Sequence, residues 1–138
     1  MAARAYIDSN IIIYMVEGET ELKAGAASAI DRCLREGGLL VTSELTVAEC
    51  LTGALRRDRQ VADTYLDLFD REKLLDVVDV TRSIVRRAAE LGAELNLKLL
   101  DALHVATAEA LGCEVFLTND RAIRAPGGLE LRDPGEVN

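Results

Sequence analysis

Three acidic residues lie where the sequence pattern predicts that structural elements begin or end, namely Asp8, Asp101 and Asp120, and a fourth, Glu49, lies within a predicted helix. Carboxylates within about 4 Å of each other repel by roughly 4 kcal/mol per pair at an effective dielectric near 20. A cluster of them must therefore take up protons or bind a cation. Oxygen ligands select Mg²⁺, with Mn²⁺ as a substitute, over zinc or copper. Such a site suits phosphodiester hydrolysis, because the ion screens the phosphate and activates a water.

Each acid also has a simpler explanation when it is taken alone. Asp8 could cap the helix that starts near Ile11, and Asp120 could cap a short helix over 121–124. Asp101 could be an ordinary first-turn helix acid. Glu49 could be a surface residue, although it lies beside a predicted apolar stripe on its helix. That stripe comprises Leu45, Ala48, Leu51, Thr52 and Leu55.

Short apolar runs alternate with longer helical patterns along the chain. Strands are predicted at 5–7, 39–41, 75–80 and 115–117, with a weak strand at 129–131. Helices are predicted at 11–16, 21–35, after the hydroxyls at 42–43 through 57, and at 59–72, 83–94, 99–111 and 121–124. Strands separated by helices favour parallel pairing. We therefore predict a single domain over 1–138, an α/β three-layer sandwich with a central, mainly parallel sheet of four to five strands.

The predicted topology explains why distant acids could meet. Ligands of an open parallel sheet gather at the carboxyl ends of its strands. Asp8 and Asp120 both follow strands, so they belong at that edge. Asp101 would lie at a helix N-terminus, where the helix dipole favours a carboxylate, and Glu49 would reach the same edge from the side.

Composition excludes several classes of protein. The 138 residues are 49% hydrophobic and 29% charged, which argues against a disordered or fibrous chain. The net charge of −8 argues against a protein that binds nucleic acid through a positively charged surface. The longest apolar run, 11–16, is too short to cross a bilayer, and no export signal is evident, so we expect a cytoplasmic protein. Three widely spaced cysteines and one histidine argue against a structural zinc site or a disulfide framework.

Four sequence segments resemble the motifs of PIN domains, in the order that this family shows. They are Tyr-Ile-Asp-Ser-Asn at 6–10, Thr-Val-Ala-Glu-Cys at 46–50, Leu-Asp-Ala-Leu-His-Val-Ala-Thr-Ala at 100–108 and Leu-Thr-Asn-Asp at 117–120. Each motif alone is a weak signal, whereas four in order cover essentially the whole chain. A lone PIN domain of this length resembles a VapC-type toxin of a toxin–antitoxin pair.

The resemblance implies a Mg²⁺-dependent endoribonuclease whose four acids carry the metal site. By that likeness, Asp8 and Asp101 would bind the ion directly, and Glu49 and Asp120 would act through water. Asn10 and Thr118 match polar residues that orient the carboxylates; alone, they could equally be a turn residue and a strand-end hydroxyl. The family also implies an RNA substrate, a homodimer and a small antitoxin protein that blocks the acidic site with a basic side chain.

Other interpretations of the sequence stay open. One is a PIN nuclease of RNA maturation, and another is a PIN fold that serves only as an interaction scaffold. A third is a non-catalytic, Mg²⁺-binding switch module such as a receiver domain, although no lysine follows Val115 as that class requires. His104, three residues after Asp101, could contact a substrate phosphate or simply be packed. Two basic groups could guide RNA or be solvated helix faces: Arg56, Arg57 and Arg59, and Arg82, Arg86 and Arg87.

Overall fold

Strands and helices alternate along the chain in the computed structural model, which describes residues 3–71 and 73–135. The strands are β1 (Arg4–Ile7), β2 (Leu39–Ser43), β3 (Asp76–Val78), β4 (Val115–Leu117) and β5 (Glu130–Arg132). The helices are α1 (Ser9–Glu17), α2 (Thr20–Arg35), α3 (Glu44–Leu55), α4 (Arg59–Asp70), α5 (Arg82–Leu95) and α6 (Leu99–Ala110). None of the helices in these ranges is long and apolar enough to span a membrane.

The five strands form one parallel sheet in the order β3-β2-β1-β4-β5. From β1 the chain proceeds outward through β2 to β3, and it then returns to place β4 on the other side of β1. The direction of strand addition therefore reverses between β1 and β4, and such a switch point opens a crevice at the carboxyl ends of the strands. The predicted α/β fold with a parallel sheet of four to five strands is confirmed.

Helices cover both faces of the sheet because side chains along each strand alternate in direction. Ala5 and Ile7 on β1 point into a core formed with α1, α2, α3 and α4. Tyr6 points the opposite way, where it stacks on Phe116 at 5.1 Å between ring centroids and packs against α5 and α6. The result is the predicted three-layer sandwich.

Local capping explains where two of the helices near the sheet edge start. The Ser43 hydroxyl at the end of β2 accepts from the backbone N–H of Leu45, which begins α3. The Thr81 hydroxyl accepts from the N–H of Ile84 at the start of α5. Asn96, in the left-handed conformation at φ 54°, ends α5 and turns the chain toward α6.

Two local predictions are wrong. No helix forms at 121–124: the Asp120 side chain accepts from the N–H of Ala122 at 2.9 Å and makes a turn. The buried face of α3 is not the predicted apolar stripe, because Ala48, Thr52 and Leu55 are exposed. The residues of α3 that pack inward are the smaller Thr46, Cys50 and Ala54.

Other differences are shifts of element boundaries. The third helix ends at Leu55 and not at 57, and β3 covers Asp76–Val78 and not 75–80. The predicted end of the fourth helix at 72 lies outside the described residues, and the helix that the structure gives ends at Asp70.

Candidate active site

Asp8 lies at the crevice between β1 and β4. Its backbone N–H donates to the carbonyl of Leu117 at 3.0 Å, which continues the strand pairing one step beyond β1. Its side chain is 7% exposed. Oδ1 accepts from the N–H of Ser9 at 2.8 Å, and Oδ2 accepts from the Thr118 hydroxyl at 2.7 Å and from Asn10 Nδ2 at 3.3 Å. The fold therefore fixes both oxygens of this carboxylate in place.

Thr118 connects Asp8 to the loop after β4. Its Oγ1 accepts from Asn10 Nδ2 at 3.3 Å and from the backbone N–H of Asp120 at 3.0 Å. Asn10 in turn accepts, through Oδ1, the N–H of Asn119 at 3.1 Å. The two predicted supporting residues, Asn10 and Thr118, thus lie against Asp8 and tie the two strand ends together.

Asp120 is an exposed residue of this loop, and it forms the turn described above. The capping explanation therefore holds for its Oδ1 atom, although it caps a turn and not a helix. The backbone hydrogen bond to Thr118 keeps the residue at the same rim as Asp8.

Asp101 lies in the first turn of α6 and is half-buried. Burial raises the pKa of its carboxyl, and the negative charges of Asp120 and Asp8 raise it further. No described residue donates a hydrogen bond to this carboxylate. The charges of Asp8 and Asp120 therefore act on Asp101, which brings together acids from three separate parts of the chain.

Glu49 reaches the rim from α3 and meets His104 of α6. His104 Nε2 lies 2.5 Å from Glu49 Oε1 and 3.9 Å from Asp8 Oδ1. The other ring nitrogen, Nδ1, lies 2.7 Å from the Tyr6 hydroxyl, which is 2.8 Å from Ser43 Oγ. His104 is 2% exposed, so the packed interpretation is correct, but its ring also contacts the site. The signal in the sequence was its position one helical turn after Asp101.

The electrostatics of this group follow from burial and from the neighbouring acids. Burial alone lowers the pKa of His104, but the hydrogen bond with Glu49 and the charges of Asp8, Glu49 and Asp101 outweigh it, and the net pKa is raised. For Tyr6, burial acts in the opposite direction and raises the pKa, so its phenol stays protonated at neutral pH. The rim is a strongly negative region that attracts a proton or a cation.

The residues present fit a hard divalent cation that keeps much of its water. Within the described ranges, no three His, Cys, Asp or Glu side chains are placed to ligate one ion together. Mg²⁺ commonly engages only one or two carboxylates and retains several waters. Asp8 and Asp101 provide oxygen donors, and a bound cation would relieve the repulsion between Asp101 and its acidic neighbours. Direct ligation by Asp8 and Asp101, with Glu49 and Asp120 acting through water, stays a prediction.

The two basic groups predicted from the sequence are used in part for ion pairs between helices. Arg87 pairs with Glu109 at 2.8 Å and joins α5 to α6, and Arg57 pairs with Glu17 at 2.5 Å. Both are therefore engaged in contacts between helices. The remaining members of the two predicted basic groups, Arg56, Arg59, Arg82 and Arg86, are exposed.

Comparison with known proteins gives a consistent family and fold. The family model of the PIN domain matches residues 5–129. No curated protein matches the chain. Among solved structures, a toxin–antitoxin complex from Klebsiella pneumoniae is similar, with 25% identity, a TM-score of 0.73 and coverage of 96% of this chain and 99% of that one.

Two more distant structures share the fold. VapBC2 from Rickettsia felis, bound to a DNA fragment from its promoter, has 19% identity and a TM-score of 0.72, covering 94% of this chain and 98% of that one. VapC20 from Mycobacterium tuberculosis, a sarcin–ricin loop cleaving toxin, has 17% identity and a TM-score of 0.64, covering 81% and 86%.

Proposed function

Because the chain belongs to the PIN domain family, we propose that it is a Mg²⁺-dependent endoribonuclease and the toxin of a type II toxin–antitoxin pair. The observation that carries the proposal is the meeting of acids at the switch point of the sheet. Asp8 is fixed there between two strand ends, and the pKa of Asp101 responds to both Asp8 and Asp120. Glu49 completes the group through His104.

The proposed roles follow from how each side chain is held. Asp8 and Asp101 would hold the ion, and Glu49 and Asp120 would act through its waters. Bound Mg²⁺ would screen the phosphate charge, activate a water and stabilise the leaving oxygen. Thr118 and Asn10 donate to Asp8 Oδ2 and keep the carboxylate from rotating when substrate arrives. Holding ligands in place before binding lowers the cost of reaching the reactive geometry.

The proposed substrate and partner are supported by what similar proteins do. VapC20, which shares the fold, is a sarcin–ricin loop cleaving toxin, so structured RNA is the substrate class to test first. The Klebsiella and Rickettsia structures contain toxin–antitoxin assemblies, which supports a small protein partner for this chain. A homodimer and a cytoplasmic location belong to the same proposal.

The decisive experiment is cleavage of a structured RNA in the presence of Mg²⁺. The wild type should cut, and Asp8→Asn should lose at least about 100-fold in rate, because the neutral amide cannot hold the ion in the same way. Asp76→Asn, which removes an exposed acid on the edge strand β3, is the matched control and should retain full activity. Equal rates for wild type and Asp8→Asn, or cleavage that survives complete chelation, would refute the proposal.

The toxin assignment needs a separate test in cells. Induced expression should arrest bacterial growth in the wild type and in Asp76→Asn, whereas Asp8→Asn should permit growth at equal protein level. If a small protein is encoded beside this gene, its co-expression should relieve the arrest. Active cleavage in vitro without growth arrest would favour the alternative of an RNA-maturation nuclease.

A further inference from the structure

A series of hydrogen-bonded polar side chains runs from the end of β2 to the rim. It starts at Ser43, passes through the Tyr6 hydroxyl to His104 Nδ1, and leaves from His104 Nε2 to Glu49 Oε1. Tyr6 and Ser43 are fully buried, and His104 is nearly so. Glu49, with a side chain that is 32% exposed, is the only member of this series that solvent reaches readily. The hydrogen bonds therefore anchor an accessible carboxylate to the interior.

The direction of the hydrogen bonds follows from which atoms can donate. A carboxylate only accepts, so His104 Nε2 carries the proton that faces Glu49. With a neutral ring, Nδ1 accepts from the Tyr6 hydroxyl, and Ser43 donates to Tyr6. With a charged ring, Nδ1 donates to Tyr6, and Tyr6 donates to Ser43. In both arrangements His104 donates to Glu49, so the contact does not depend on whether the ring is neutral or charged.

The position of His104 is otherwise suited to an apolar residue. Its neighbours on α6, Val105 and Ala106, are fully buried. A buried imidazole is costly unless both nitrogens have partners, and the fold supplies both. One of those partners belongs to α3, which packs on the opposite face of the sheet. The contact therefore bridges the two helical layers at the carboxyl edge and fixes the distance between Glu49 and the α6 acid, Asp101.

The contact with His104 uses one oxygen of Glu49 and leaves the other available. Within the described residues, no side chain or amide donates to Oε2. An acid held at Oε1 can present Oε2 to a water or an ion in a fixed direction. Without the anchor, a half-exposed glutamate with three rotatable bonds would sample many directions.

We propose that His104 is a positioning residue for the nuclease reaction: it holds Glu49 through Nε2 and is itself held by Tyr6 and Ser43. This inference rests on the proposed function. His104 touches no reacting atom in this scheme, and it acts through Glu49, because Asp8 Oδ1 lies 3.9 Å from Nε2, beyond hydrogen-bond distance. Its removal should therefore impair the reaction no further once Glu49 is already neutral.

The test is a double-mutant cycle on RNA cleavage. His104→Leu should lower kcat by about 10- to 100-fold with KM changed less than about twofold, as is typical for residues that orient a ligand. His104→Gln, which keeps a donor near the Nε2 position, should recover most of that loss. The double variant His104→Leu/Glu49→Gln should be no slower than Glu49→Gln alone.

A matched control comes from the same helix. Thr107 is a buried polar residue of α6 whose hydroxyl donates to the Leu103 carbonyl, away from the acids. Thr107→Val should leave kcat unchanged in both the wild type and Glu49→Gln. Additive losses for His104→Leu and Glu49→Gln, or failure of His104→Gln to recover activity, would overturn the proposal. If His104→Leu does not fold, Tyr6→Phe removes the hydroxyl that anchors the ring and should lower kcat in the same non-additive way.

A second readout separates this inference from the proposed function. Mn²⁺ binding, followed by electron paramagnetic resonance, should weaken to the same extent in His104→Leu, Glu49→Gln and the double variant. A wild type that binds Mn²⁺ but cuts no RNA would refute the nuclease, while the binding cycle would still test the positioning role. Unchanged Mn²⁺ affinity in His104→Leu, together with weaker affinity in Glu49→Gln, would refute the positioning role alone.

Discussion

Asp8 and Asp101 are the two acids proposed to hold the ion, and the fold treats them in opposite ways. Asp8 is buried and receives hydrogen bonds from a backbone amide, a hydroxyl and a side-chain amide. Asp101 is half-buried, receives none from the described residues, and has its pKa raised by burial and by the charges of Asp120 and Asp8. Asp8 therefore stabilises the contact between the two strand ends, whereas the repulsion at Asp101 destabilises the folded protein.

The difference shows how a stable protein can contain an unstable site. Asp8 is held by hydrogen bonds and sets the geometry. Asp101 accepts no hydrogen bond from the described residues, so the repulsion on its carboxylate is relieved mainly when a cation binds. Substitutions at the two positions should therefore have similar effects on cleavage and opposite effects on stability.

The largest effect on stability is expected for Asp8→Asn in the presence of a chelator. The new amide nitrogen would face Asn10 Nδ2, a donor, in place of the Oδ2 acceptor. The free energy of unfolding should fall by about 2 kcal/mol, measured by urea denaturation. A loss no greater than that of Asp76→Asn would show that Asp8 is not part of the structural framework.

The next largest effect is expected when Mg²⁺ is added. At ten times the dissociation constant, a ligand that binds only the folded state adds about 1.4 kcal/mol. The wild type should show this gain as a higher Tm, and Asp101→Asn should lose most of it. An equal response in Asp101→Asn would mean that the ion binds elsewhere.

Removal of the Thr118 hydroxyl should have an intermediate effect. Thr118→Val keeps the shape of the side chain but deletes the donor to Asp8 Oδ2 and the acceptor for the N–H of Asp120. We expect a loss of about 1 kcal/mol in the free energy of unfolding, together with slower cleavage. Thr118→Ser retains the hydroxyl and serves as the control. If the serine variant loses as much as the valine variant, packing and not hydrogen bonding explains the effect.

Asp101→Asn without divalent ions should show the opposite sign. Replacement of the carboxylate removes repulsion from Asp120 and Asp8, so the free energy of unfolding should rise by up to about 0.5 kcal/mol, the size of a like-charge contact on a helix surface. Thermal denaturation in a chelator measures it. A clear decrease in Tm would contradict the contrast between the two acids.

The buried thiols give the smallest expected change and show whether the variants keep their core. Burial raises the pKa of Cys113 to about 12, and burial with the charge of Glu49 raises that of Cys50 to about 12. At pH 8 the thiolate fraction is then on the order of 10⁻⁴, and it increases tenfold for each unit of pH until the pKa is approached. Native protein and Asp101→Asn should both react very slowly with a thiol reagent. Fast reaction in Asp101→Asn alone would indicate local opening and not relief of charge.

The sequence was most informative where chemistry coincides with a strand end. Asp8 and Thr118 follow β1 and β4 directly, and parallel strands present their carboxyl ends at one edge, so their meeting could be predicted. The placement of β1 between β2 and β4 could not, because strand order depends on how the helices pack on the two faces. His104 was recognised as a neighbour of Asp101, but its contact with Glu49 joins residues 55 positions apart in different layers.

The errors in local structure also have physical causes. The predicted stripe on α3 favoured leucines, but close packing against the sheet selected small side chains, and Leu55 was left 53% exposed. At 121–124, the Asp120 carboxylate satisfied a backbone N–H in a turn before a helix could start. In both cases tertiary packing or a local side-chain hydrogen bond outweighed helical periodicity.

The register between β1 and β4 places Ile7 opposite Leu117, and the next step along the two strands is the pair that carries Asp8 and Thr118. A shift of one residue in either strand would turn every side chain on it to the other face of the sheet. The length of these two short segments is therefore as essential to the chemistry as the identity of their acids. Insertions should be tolerated in exposed connections such as 36–37, and a single added residue between Arg4 and Asp8 should abolish the site while leaving every one of its side chains in the sequence.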